Sequence, residues 1–157
     1  MNIILLSGGS GKRLWPLSND IRSKQFIKLF KDDNGNYESM VQRVYRQITT
    51  VNPMVKVTVA TSKNQVSVIK SQLGEKINIC VEPSRRDTFP AILLAAAYIH
   101  YELGIGVEEC IAVCPVDPYV DNDYYKCVGE LENLVEAGTA NLTLMGIKPT
   151  YPSDKYG

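Results

Sequence analysis

An excess of either charge is missing from this chain: 17 Lys and Arg face 17 Asp and Glu over 157 residues, for a net charge of zero. A basic field that would grip nucleic acid nonspecifically is therefore excluded, and any anion site must be local. No apolar run approaches the ~20 residues of a membrane span, and the N-terminus lacks a basic leader and a small-residue cleavage site. These absences predict a cytoplasmic protein with no membrane and no nucleic-acid partner. The one histidine, His100, lies in an apolar helical stretch, which fits a satisfied core or edge residue better than a base. Cys80, Cys110, Cys114 and Cys127 show no C-x-x-C spacing, and their apolar surroundings predict buried, reduced thiols in place of a zinc site or disulfides. Repeats, low-complexity tracts and linkers are absent as well.

What is present is an ordinary domain length with 45% hydrophobic residues, enough for a continuous core. Strand-like and helix-like stretches alternate, which predicts an α/β fold: a Rossmann-like mixed, mainly parallel sheet with helices on both faces. Strands are expected at Asn2 to Leu6, Lys56 to Thr61, Ile77 to Val81, Glu109 to Pro115 and Leu142 to Met145. Helices are expected at Ser39 to Thr50, Lys63 to Leu73, Ala91 to Tyr101 and Asn122 to Ala137, with a turn-rich insertion at Asp32 to Asn36. The third helix is apolar nearly all round and should be buried. The fourth should place Cys127, Val128, Leu131, Leu134 and Val135 on one inward face.

Chemistry concentrates in Leu5 to Gln25, LLSGGSGKRLWPLSNDIRSKQ. A buried strand feeds a loop in which Gly8, Gly9 and Gly11 let backbone N–H groups approach a ligand, while Lys12, Arg13 and Lys24 add positive charge. A polyphosphate is the guest this describes. A Walker A loop is excluded because Leu6 and Arg13 stand where its first glycine and its Ser or Thr belong, and a dinucleotide fingerprint fails at Leu14. Two further segments complete the pattern. In Glu82 to Ala91, EPSRRDTFPA, Asp87 or Thr88 can cap a helix whose N-terminal amides, with Arg85 and Arg86, make a second anion-friendly edge. Asp117, in C-P-V-D-P-Y, follows a strand at its carboxyl end, where open α/β sheets bind ligands; on its letters alone it is either a metal ligand or turn chemistry before proline.

The strings G-G-S-G-K-R-L-W-P-L-S and S-K-Q-F resemble the signature of sugar-phosphate nucleotidyltransferases, in the variant carried by mannose-1-phosphate guanylyltransferases. The segment from Glu82 and the ending G-I-K-P-T-Y-P-S-D-K-Y-G resemble two more of that family's motifs, the last of which breaks off at Gly157. The resemblance implies transfer of GMP from GTP to mannose 1-phosphate, with Arg13 and Lys24 as catalytic cations and Asp117 as ligand to Mg²⁺. It further implies nucleotide contacts from Leu6, Gly8, Gly9, Gly11, Lys12, Glu82, Pro83, Arg86, Asp87 and Thr88. Departures are Asp87 where asparagine is commoner, Phe89 where alanine is, Val116 and Pro118 beside Asp117, and Ser23 in place of proline, which predicts a less rigid approach to Lys24. On this reading residues 1–157 are the nucleotide-binding N-terminal part of a catalytic domain whose sugar-phosphate-binding part is absent. GTP and a sugar 1-phosphate are the expected partners. A truncated domain should expose apolar surface, and so either form a homodimer or be poorly soluble. The alternatives are a noncatalytic nucleotide-binding fragment or regulatory subunit, and a sibling enzyme with another base or sugar.

Overall fold

In the computed structural model, residues 1–9, 18 and 23–152 are described. Four parallel strands form the central sheet: β1 (Asn2–Leu6), β4 (Lys56–Ser62), β5 (Asn78–Glu82) and β6 (Ile111–Pro115), in the spatial order β5-β4-β1-β6. An antiparallel ribbon, β2 (Lys28–Lys31) with β3 (Tyr37–Ser39), stands apart from it. The helices are α1 (Met40–Val51), α2 (Val66–Leu73), α3 (Thr88–Tyr101) and α4 (Asn122–Glu136).

Strand alternation divides the core in two. Ile3 and Leu5 of β1 and Val57 and Val59 of β4 point to one face, where Val41, Val44 and Ile48 of α1, Ile69 of α2 and Val128 of α4 pack on them. Ile4, Ala60 and Cys80 point to the other, against Ala95 and Ile99 of α3. Fully burying an aliphatic side chain stabilises by roughly 1.5–3 kcal/mol, so these two layers supply most of the fold's driving force. Helix ends follow local chemistry. Ser39 and Gln42 make a reciprocal capping box at the start of α1, and Gly74, at φ 96°, ends α2 in a conformation that favours glycine. The Asp32 to Asn36 insertion is the turn of the β2-β3 ribbon: the Asp32 carboxylate accepts from the Asn34 and Asn36 amides, and Gly35 sits at φ 83°.

Several expectations need correction. α3 is buried on one side only: Ala91, Ala95 and Ile99 meet the sheet, while Phe89, Leu93 and Tyr101 are exposed, because among the described residues nothing covers its outer face. In α4 the inward stripe runs through Tyr125 and Val128, which leaves Cys127 and Leu134 exposed. All four cysteines are free, but only Cys80 and Cys114 are buried; Cys110 is half-buried. Residues 142–145 form no strand. Leu142 and Leu144 are exposed and no ladder joins them to a sheet edge, and an alternating sequence becomes a strand only where a neighbour accepts its hydrogen bonds. His100 behaves as expected: its Nδ1 lies 2.7 Å from the Ile105 carbonyl, which can only accept, so the imidazole donates there.

Candidate functional site

All four parallel strands end at the same edge of the sheet, and the chain leaves β1 toward β4 and β5 before returning to β6 on β1's other side. That reversal of strand order makes the β1–β6 boundary a switch point, and the crevice outside the carboxyl ends of its two strands is the usual ligand position in such sheets. Gly8 and Gly9 follow β1 on one side of that crevice. Asp117 follows β6 on the other.

Lys24 crosses it. It opens a short 3-10 turn, Lys24–Phe26, whose Gln25 and Phe26 are buried and so fix the turn against the domain. Its Nζ donates to Asp117 Oδ2 at 2.9 Å across 93 residues of sequence, with both side chains about half exposed. In solvent such a pair contributes only ~0.2–1 kcal/mol, so what it signifies is placement: a cation and a carboxylate held side by side at the crevice mouth.

The glycine turn is held from below. Ser7 N–H donates to the Ala60 carbonyl at 2.9 Å, and the buried Gln25 amide donates to the Ser7 carbonyl at 3.1 Å. The Gly9 carbonyl accepts from Ser23 Oγ at 2.9 Å, Gln65 Nε2 at 3.2 Å and Arg85 Nη2 at 3.4 Å. Glu82, at the end of β5, bounds Gly8 closely: a Cβ on Gly8 would lie 3.2 Å from Glu82 Oε1, so a larger residue would have to push that carboxylate aside. Leu6 is the half-buried last residue of β1. Pro83, Arg85, Arg86 and Thr88 lie at the rim, and all four are exposed. Asp87 caps α3 by accepting from Thr88 N–H at 3.0 Å, and it does so at φ 72° and ψ −171°, a backbone region nearly confined to glycine.

Of the residues expected from sequence, Lys24 and Asp117 come together, as do Gly8 with Glu82. Gly11, Lys12 and Arg13 lie outside the described residues. The approach to Lys24 expected to be less rigid lies, apart from Ser18 and Ser23, outside the described residues. Ser23 is fully buried at φ −66°, a value proline would also hold, and its hydroxyl both donates to Gly9 and accepts from Gln65. Sequence reasoning missed Gln65, Gln25 and the contact of Arg85. The strand-end rule applied to β4 points at Gln65, which lies three residues beyond that strand.

A Mg²⁺ ion is held by one or two carboxylates, with phosphate oxygens and water completing its six positions. Asp117 fits that role. It is a hard oxygen donor at the crevice mouth, and its Oδ1 has no partner among the described residues. A second cluster, Cys110, Glu132 and Glu136, brings potential ligand atoms within 4.8 Å of one another, but one of its carboxylates, Glu132, already accepts the N-terminal ammonium at 3.2 Å. No helix among the described residues is long and apolar enough to cross a membrane.

Comparison with known proteins gives the same picture. A mannose-1-phosphate guanylyltransferase of Escherichia coli is 33% identical over 98% of this chain, and one of Sinorhizobium fredii is 31% identical over 98%. The chain spans 32% and 29% of the length of these relatives. Among solved structures, a mannose-1-phosphate geranyltransferase from Thermus thermophilus superposes with a TM-score of 0.68 at 28% identity, over 87% of this chain and 38% of that one. The nucleotidyl transferase family matches residues 2–157, which include every strand of the sheet and both walls of the crevice, and the chain belongs to that family.

Proposed function

We propose that this chain is the nucleotide-binding part of a guanylyltransferase that joins GTP and mannose 1-phosphate into GDP-mannose and pyrophosphate. The observation that carries the reading is the Lys24–Asp117 pair beside the Gly8–Gly9 turn; three distant stretches of sequence meet at one crevice. The base and the sugar rest on the names of relatives about 30% identical.

The reaction brings two anions together. An oxygen of the sugar phosphate, already ionised at neutral pH, attacks the α-phosphorus; the new P–O bond forms as the bond to the β-phosphate's bridging oxygen breaks, and pyrophosphate carries away that electron pair. No base is needed, so the protein's task is positioning and charge neutralisation. Backbone amides of the glycine turn would face the phosphates. Lys24 would act as a point charge near the α-phosphate, and Arg13, with its planar fork, would suit the departing pyrophosphate. Asp117 would hold Mg²⁺, which when bound neutralises charge on the phosphate oxygens.

Pyrophosphate release tests the assignment in a polypeptide of the relatives' full length, with GTP set against ATP, UTP and dTTP, and mannose 1-phosphate against glucose 1-phosphate. GTP with mannose 1-phosphate is expected to be preferred, and Arg13→Ala and Asp117→Asn are each expected to lower turnover at least 100-fold. Near-normal turnover in both variants would remove the site, and preference for another pair would replace the substrates. The same glycine turn and Lys24–Asp117 pair also fit a second reading, a nucleotide-binding module without turnover of its own. It predicts GTP binding by the 157-residue chain with no pyrophosphate release.

A further inference from the structure

We propose that Gln65 is a positioning residue that presets the glycine turn for its phosphate ligand, acting through a directional chain of hydrogen bonds. The inference rests on the nucleotide-binding reading above and adds to it a residue that touches no ligand.

The chain of bonds starts at the exit of β4. Thr61 Oγ1 donates to Gln65 Oε1 at 2.8 Å, Gln65 Nε2 donates to Ser23 Oγ at 2.8 Å, and Ser23 Oγ donates to the Gly9 carbonyl at 2.9 Å. The second amide hydrogen of Gln65 reaches the same carbonyl at 3.2 Å. Thr61, Gln65 and Ser23 are each 0% exposed. The direction is dictated by chemistry: a backbone carbonyl can only accept, so Nε2 must face Gly9, and Oε1 is left to receive the threonine hydroxyl. Every step is satisfied; the Thr61–Gln65–Ser23 links are enclosed and the two bonds to the Gly9 carbonyl are part-buried, and a network with an enclosed, low-dielectric base is intolerant of a missing member.

Its mechanical consequence lies at Gly9 and Ser23. These residues bracket positions 10–22, the stretch carrying Gly11, Lys12 and Arg13, and one side chain from another strand's exit fixes the distance between them. Ser7, two residues before Gly9, is separately held by Gln25. The Gly8–Gly9 turn is thus secured on both sides by buried primary amides, through the carbonyls of Ser7 and Gly9. A turn already set before the ligand arrives loses less entropy when phosphates bind.

The test compares wild type with Gln65→Met, which keeps the side chain's length and removes its hydrogen bonds, and with Ser23→Ala, which removes a single hydroxyl. Amide hydrogen exchange and calorimetric titration with GTP and Mg²⁺ are measured at a temperature where circular dichroism shows each variant folded. Gln65→Met is expected to speed exchange about tenfold at residues 7–9 and 23–27, to leave Met40–Val51 unchanged, and to weaken GTP binding about tenfold. Ser23→Ala is expected to do the same at about threefold, and it carries the test alone if Gln65→Met does not fold. Wild-type exchange and wild-type GTP affinity in the variants would overturn the proposal. So would acceleration spread evenly over the chain with affinity intact, which is the signature of a residue that only stabilises the fold. Absence of GTP binding by wild type, with the local exchange pattern as expected, would overturn the nucleotide reading and the ligand named here, and leave the clamp's geometry confirmed.

Discussion

Replacing Arg46 by methionine should reveal how firmly the β2-β3 ribbon is fastened to the domain. Glu38 of β3 is nearly buried, and Arg46 of α1 grips its carboxylate with both arms of the fork: Nε to Oε2 at 3.0 Å and Nη2 to Oε1 at 2.8 Å. The hydrogen bond to Glu38 pushes the Arg46 guanidinium further above its usual range, so it stays charged at every accessible pH. Breaking a fully enclosed ion pair by removing one partner costs about 3–5 kcal/mol. Two features reduce that here. The Arg46 side chain is 31% exposed, and Arg43 Nη1, at 3.8 Å from Glu38 Oε1, partly compensates the orphaned carboxylate. A loss of about 2 kcal/mol remains, which for a chain of this size lowers the melting temperature by about 4–8 °C. Asp33→Asn serves as internal control: Arg46 Nη1 touches Asp33 Oδ2 at 3.1 Å, but Asp33 is 90% exposed, and the effect should stay within ~0.5 kcal/mol. Differential scanning calorimetry of Arg46→Met, Glu38→Gln and the double variant closes a thermodynamic cycle, with an expected coupling above ~1 kcal/mol. Equal, small losses for Arg46→Met and Asp33→Asn would refute the reasoning. The ribbon matters because the 3-10 turn bearing Lys24 leads directly into it.

Two further outcomes are expected. Burial pushes the Cys114 thiol up to about 11 and raises the Tyr125 phenol as well, so the folded state keeps protons that the unfolded chain releases. The resulting stability is fully present below pH ~9, the ordinary thiol range, and lost as pH rises through about 11; urea midpoints should fall between about pH 8.5 and 10.5, and a flat profile would contradict the burial argument. Asp87→Ala should cost about 1–2 kcal/mol, because it removes the α3 cap and forces a Cβ without polar compensation into φ 72°, whereas Asp87→Asn should stay within ~0.5 kcal/mol; equal values in chemical denaturation would refute that account.

Much of this molecule could be read from its letters, for physical reasons that differ between elements. β1 has the expected bounds, and β4, α1 and α4 agree to within a residue or so at each end, because burial on both sheet faces or on one helix face imposes a period. The placing of Asp117 opposite the glycine turn followed from the rule that ligands gather at strand ends, which needs only the order of elements, whereas Lys24 was singled out by its charge beside that turn. The ribbon strands escaped notice since β2 and β3 span four and three residues, and β2 has no buried face to imprint alternation. Residues 142–145 carried the opposite error, a strand-like period with no edge to receive it. The Gln65 network was illegible for a deeper reason: glutamine imposes no period, and its partners Gly9, Ser23 and Thr61 converge only after the sheet has formed.

Gly8, Gly9, Lys24 and Asp117 all sit in connections between strands, and none of them belongs to the hydrogen-bonded ladder between Asn2 and Pro115. Recognition and architecture are consequently written in largely separate parts of the chain. Drift in the connections can reshape the crevice mouth while the ladder underneath goes on specifying the same four-stranded platform.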